Sequence, residues 1–101
     1  MARVRIHIEA RIELLDAADW YYVRSIESAQ RFRESFNALL ALIDSQPESF
    51  PKYDQQFRFG KLEHYPYLIV FRYQDDLVDV IAVAHSRRKY GYWRDRHFEQ
   101  S

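Results

Sequence analysis

The run Ala82–His97, AVAHSRRKYGYWRDRH, gathers the side chains of this sequence most able to do chemistry. His85 ends an apolar stretch. Arg87, Arg88 and Lys89 follow, then Tyr90, Gly91, Tyr92 and Trp93, then Arg94 and Arg96. From Ser86 to His97 there are five Arg or Lys and one acid, Asp95. A histidine takes or gives a proton near neutral pH, and arginines interleaved with aromatic rings can grip phosphates and stack on bases. A histidine with cations and phenols near it could move a proton and stabilise building negative charge, and by type alone His85, Arg58, Lys61, Arg72 and Tyr90 could take part. Arg87, Arg88, Lys89, Tyr92, Arg94 and Arg96 are the candidates for binding a target or a partner. Three adjacent cations without an acid repel one another, which favours a functional surface at Arg87–Lys89. Plainer readings stand beside these. A histidine ending a strand is commonly a hydrogen-bonded structural group. Arg58 and Arg72 can coat an open sheet face or dock carboxylates bidentately. Trp93 and Tyr92 can close the end of a core while the arginines stay wet.

Composition narrows the classes. The chain has 101 residues, one domain's worth, with 15 basic and 15 acidic side chains. Zero net charge argues against binding nucleic acid through bulk electrostatics but leaves room for a local patch. There is no cysteine, so disulfides and thiolate chemistry are absent and a reducing cytoplasm fits. No signal peptide or membrane-spanning run is expected. Glu13, Asp16 and Asp19 share a helix without histidine support and read as a solvated face. His7, His64 and His97 show no ligand spacing, so neither a metal nor another cofactor is expected. No phosphate-binding glycine loop or Ser/Cys nucleophile signature is present.

The elements follow from periodicity. Val4, Ile6 and Ile8 alternate with Arg5, His7 and Glu9, which predicts a strand over 3–9. Ile12, Leu15, Ala18 and Tyr22 recur at helical spacing, predicting a helix over 10–24 in which Trp20, Tyr21 and Tyr22 pack. Ile26, Ala29, Phe32, Phe36, Leu39, Leu40 and Ile43 form one apolar stripe, predicting a second helix over 26–46, with Ser25 at its start and Pro47 at its end. Strands are expected at 56–64, 67–74 and 77–85, with a bulge at Gly60 and a tight turn at Asp75-Asp76. The stripe of the second helix should meet Ile69, Phe71, Val80 and Ala82 or their immediate neighbours. The fold class is then α+β: an N-terminal strand, an antiparallel helical hairpin and a three-stranded antiparallel meander, with the hairpin on one sheet face.

With the elements in this order, the chain resembles the RelE/ParE superfamily of bacterial type II toxins. The resemblance rests on ELLDAADWY, AQRF, FPKY, YPYLIVFR and VIAVAHSRRKYGYWRDR, and spans roughly residues 9–96. Many relatives carry a proline where Tyr90 stands. The resemblance implies a single toxin domain over 1–101 that inhibits growth in the cytoplasm. It also implies a cognate antitoxin protein that neutralises the toxin within a hetero-oligomer. Some members are ribosome-dependent mRNA endonucleases and others poison DNA gyrase, so the target and any catalysis stay open; for the nuclease members the resemblance implies RNA cleavage at a 2′-hydroxyl by basic and aromatic residues on the sheet and near its end, for which His85, Arg58, Arg72 and Tyr90 are the candidates in this sequence. Well-known nucleases of the group place a His-Tyr or a Tyr just beyond the last strand. Arg87-Arg88 stands there in this sequence, which favours a binding poison.

Overall fold

The computed structural model describes residues 3–98. Its elements are β1 (Arg3–Ile6), α1 (Ile8–Arg24), α2 (Ile26–Ser45), β2 (Arg58–Lys61), β3 (Tyr67–Gln74) and β4 (Leu77–His85), with one 3-10 turn at Pro47–Ser49. The strands form one sheet in the order β1-β4-β3-β2. β2, β3 and β4 make the expected antiparallel meander, and β1 lies parallel to β4. The helical hairpin covers one face. Among the described residues no helix is long and apolar enough to cross a membrane.

Element ends have local causes. β1 stops at Ile6, short of the predicted residue 9, because His7 caps α1: its Nδ1 accepts the Glu9 N–H at 3.1 Å. Ser25 closes one helix and opens the next. Its N–H reaches the Tyr21 carbonyl, and its hydroxyl oxygen accepts the Ser28 N–H. Asp75 and Asp76 both take positive φ, 55° and 60°, the conformation of a two-residue hairpin turn that suits strand twist and that Asp tolerates. β2 is shorter than the predicted 56–64. Gly60 does not bulge: a Cβ there would lie 3.1 Å from Leu39 and from Phe50, so it marks a close approach of helix and loop to the sheet.

The core has two parts. On the helical side Phe32, Phe36 and Ile43 of α2 meet Ile69, Phe71, Val78, Val80 and Val83, and Tyr21 stacks on Phe32 at 5.0 Å. Ala82 itself is not among them; its neighbour Val83 takes that place. The register between β3 and β4 shifts at Val70/Phe71, with Val70 opposite Ala82 and Phe71 opposite Val80. Ile81 is the extra residue of a bulge, and side-chain parity reverses beyond it. Ile81, Ala82 and Ala84 therefore join Phe57, Val70 and Trp93 in a second cluster on the other sheet face.

The inward face of α1 also differs from expectation. Ala10, Ala17 and Ala18 are buried, with Leu14 and Tyr21 packed alongside. Ile12, Leu15 and Tyr22 lie outside, 49%, 47% and 57% exposed, and Trp20 is half exposed. The helix carries apolar rows on opposite sides. The alanine-rich row goes inward because small side chains let the backbone come close to β4. Of the three early aromatics, only Tyr21 joins the core, and Trp20 rests edge-on against it from outside, ring centres 4.9 Å apart.

Candidate functional site

Beyond Ile6, β1 no longer covers β4, and the outer edge of Ile81–Val83 would be left with unpaired backbone groups. Two side chains complete it, and a third braces them. The Val83 N–H donates to Glu13 Oε1 at 3.0 Å, and Arg96 Nη1 donates to the Ile81 carbonyl at 3.1 Å. Arg96 also grips Glu13 with two N–H groups, at 2.8 and 3.1 Å, and the Tyr92 hydroxyl donates to Glu13 Oε2. The Glu13 and Arg96 side chains are only 15% and 13% exposed. Burial, followed by the hydrogen bond and charge of Glu13, pushes the Tyr92 phenol far above its usual range, so it remains a neutral donor. This cluster fastens the segment after β4 against α1. Gly91 makes the required turn at φ 83°. Trp93, 2% exposed, then enters the second core cluster.

The candidates for binding thus divide. Arg96 and Tyr92 are engaged inside the fold. Arg94 is tied to Asp54 at 2.6 Å. Arg88 lies over the Tyr92 ring at 3.9 Å, with its side chain 58% exposed. Arg87 and Lys89 are exposed beside it, and Tyr90 is half exposed. Arg87, Arg88 and Lys89 form a cationic edge held in place by the anchored residues that follow.

The candidates for RNA cleavage are not brought together. Arg58 donates to the Glu48 and Phe50 carbonyls at 3.2 and 2.8 Å, fastening the loop before β2. Arg72 pairs with Asp79 at 3.1 Å. His85 lies at the opposite end of β4, six residues beyond Asp79, roughly 20 Å at strand rise. Its Nδ1 accepts the Arg87 N–H at 3.1 Å and its ring meets the edge of Tyr67. Lys61 is exposed on β2. Among the described residues no group of His, Asp and Glu has a metal-binding arrangement.

Two acids that organise this surface were not singled out for it by the sequence. Glu13 read as part of a solvated helix face. Its signal is its place between the inward Ala10 and Ala17. Asp79 is 4% exposed and receives Arg5 through two N–H groups, at 2.7 and 2.9 Å, as well as Arg72. Its signal is a lone acid inside the apolar run LVDVIAVAH. Burial alone would raise the Asp79 carboxyl; the hydrogen bonds and charges of Arg5 and Arg72 outweigh it and hold the group below the usual carboxylate range. A depressed folded-state value stabilises the fold above the ordinary range near pH 4, and that stabilisation is lost as pH falls through the folded value. Asp79→Asn should therefore lower stability at pH 7 and shrink the difference between pH 7 and pH 3. Urea midpoints at the two pH values measure this; an unchanged difference would refute the assignment.

The family model described as ParE toxin of type II toxin-antitoxin system, parDE, matches residues 4–90. The chain belongs to the ParE toxin family. A solved structure, "Chromosomal ParDE TA system from P. aeruginosa", is similar in fold, with a TM-score of 0.71 and 18% identity over 84% of this chain and 96% of that one. No curated protein matches the chain. The family match runs through β4 and the cationic edge to Tyr90. The anchoring residues of this ParE-family chain, Tyr92, Trp93 and Arg96, lie just past it.

Proposed function

We propose that this ParE-family chain is the toxin of a parDE-type pair. It arrests growth in the cytoplasm by binding DNA gyrase through the edge Arg87–Lys89, and a cognate antitoxin neutralises it in a hetero-oligomer. The observation that carries the binding reading is the dispersal of Arg58, Arg72 and His85. A general base and the cations that would stabilise a phosphorane must converge within hydrogen-bond reach of one substrate, and here they serve three different parts of the fold. The reading requires no cofactor. A cationic edge on a chain of zero net charge suits a local contact with an acidic or phosphate-bearing surface.

A second reading, ribosome-dependent cleavage of mRNA, has one observation in its favour: His85 and Arg88 line the same groove as Tyr67. Expression in bacteria with parallel readouts of plasmid supercoiling and mRNA cleavage separates the two. Growth arrest with altered supercoiling and intact mRNA is expected. His85→Gln should stay toxic. Arg87→Ala with Arg88→Ala should abolish toxicity while shifting stability by no more than about 1 kcal/mol, as exposed charges do. Loss of mRNA cleavage in His85→Gln would move the assignment to the nuclease reading, and full toxicity of the double arginine variant would remove the edge from the active surface.

A further inference from the structure

The outer face of α1 carries an apolar row that nothing in the fold covers. Ile8, Ile12, Leu15 and Tyr22 are 63%, 49%, 47% and 57% exposed. An amphipathic helix needs one apolar face for its own core, and α1 has already used its alanine row for that. An exposed row of this length marks an interaction surface. Arg11 and Asp19 lie along it, both exposed. Among the described residues neither makes an ion pair. No acid stands three or four residues from Arg11, and no Lys or Arg three or four from Asp19, so α1 offers neither a local counter-ion.

The row is symmetric about Leu15. Ile8 and Tyr22 lie seven residues to either side of it, and Arg11 and Asp19 four residues to either side. At helical rise those offsets are about 10 Å and about 6 Å. A two-fold axis through Leu15 that lays one α1 antiparallel on another sets Leu15 on Leu15, Ile8 on Tyr22, and Arg11 opposite Asp19 twice over. A patch that contacts its own copy must complement itself in this way. A parallel pairing would set Arg11 against Arg11 and Asp19 against Asp19, and like charges oppose it. Asp16 lines a groove with Val83, His85 and Arg88 on the side of α1 that turns towards β4, so a cation of its own chain stands near it.

We propose that two copies of this chain associate through the outer faces of their α1 helices, antiparallel about Leu15, with an Arg11–Asp19 pair on each side of the axis. The apolar residues supply the affinity, and the charge pairs set direction and register. The contact is small and wet at its rim, so its dissociation constant should be on the order of micromolar, a reversible dimer rather than a permanent one. The inference goes beyond the toxin reading and does not depend on it: Arg87–Lys89 takes no part in the pairing. A helix of another protein that needed this face would have to displace the second copy.

The test is sedimentation velocity of the purified full chain over a range of concentrations, with far-UV circular dichroism to confirm that each variant is folded. The wild-type chain should pass reversibly from monomer to dimer. Leu15→Glu brings two carboxylates together on the axis and should weaken association by at least about 100-fold. Arg11→Asp and Asp19→Arg each set like charges together at both pairs, and each alone should weaken it about 10-fold. Mixing those two variants should restore association, because in the mixed dimer each pair again joins an acid to a base. A wild-type chain that stays monomeric at about 100 µM overturns the proposal and leaves the face to a different protein. A dimer that persists unchanged in Leu15→Glu overturns it in favour of another interface. No gain on mixing the two charge variants overturns the antiparallel register on which it rests.

Discussion

Glu13→Ala is expected to cost about 3–5 kcal/mol of folding stability, the scale for removing one partner of a buried, hydrogen-bonded ion pair. The loss has three sources. The Arg96 guanidinium, 13% exposed, keeps its charge and loses its bidentate acceptor. The Val83 N–H loses its acceptor on an otherwise uncovered stretch of β4. The Tyr92 hydroxyl loses the acceptor that holds the C-terminal segment to α1. Water can reach only part of the space vacated, so these groups are re-solvated incompletely. Replacing both partners, Glu13→Ala with Arg96→Met, should be less damaging than Glu13→Ala alone, because no uncompensated charge stays behind. Equilibrium unfolding in urea measures both variants. A single variant within about 1 kcal/mol of wild type, or a double variant worse than the single, would show that the cluster does not fasten the segment.

That cluster also shows where sequence reading reaches its limit. The stripe Phe32, Phe36, Ile43 was legible because α2 has one apolar face and a polar remainder. On α1 two apolar rows compete, and periodicity alone ranks the bulkier Ile12, Leu15, Tyr22 row first. The choice was made by side-chain size against β4, a tertiary matter. The bulge at Ile81 was hidden for a related reason. β4 is buried on both faces, so an inserted residue leaves no polar mark in LVDVIAVAH. Parity then fails silently from Ala82 onward. The turn at Asp75-Asp76, by contrast, depends on local backbone preference and was readable as written.

The functional surface divides in the same way. The run of cations after His85 is visible as composition. What separates Arg87 from Arg96 is not, since the difference is which of them finds Glu13 across 83 residues of chain. Glu13 reads as a solvated acid until β1 is known to stop at Ile6 and expose the edge of β4. Likewise, Arg58, Arg72 and His85 are the right residue types for RNA chemistry, and only the sheet reveals that they serve different parts of it. Residue type nominated the candidates; the length of one four-residue strand and the position of one bulge decided which of them the fold uses for itself.

Trp93→Ala should lose about 3–5 kcal/mol, the range for deleting a large aromatic from a packed core. Trp93 is 2% exposed among Phe57, Val70, Ile81, Ala82 and Ala84, with Tyr53 and Tyr92 rings each 5.4 Å away. It closes the sheet face that the helices leave open, so the cavity would sit under a short segment tied down mainly by Glu13. Trp93→Phe separates packing from polarity. Among the described residues the Trp93 indole Nε1 is buried without a hydrogen-bond partner, a state that costs about 1–3 kcal/mol. Phenylalanine deletes that donor while keeping most of the ring, so part of the lost contact is offset and Trp93→Phe should lie much nearer wild type than Trp93→Ala. In cells, Trp93→Ala should weaken toxicity by loosening Arg87–Lys89, with a clear drop in melting temperature. The double arginine variant should abolish it without one. If Trp93→Ala melts like the wild type, the ring does not close the second core, and the cationic edge is a loose chain end rather than a positioned surface.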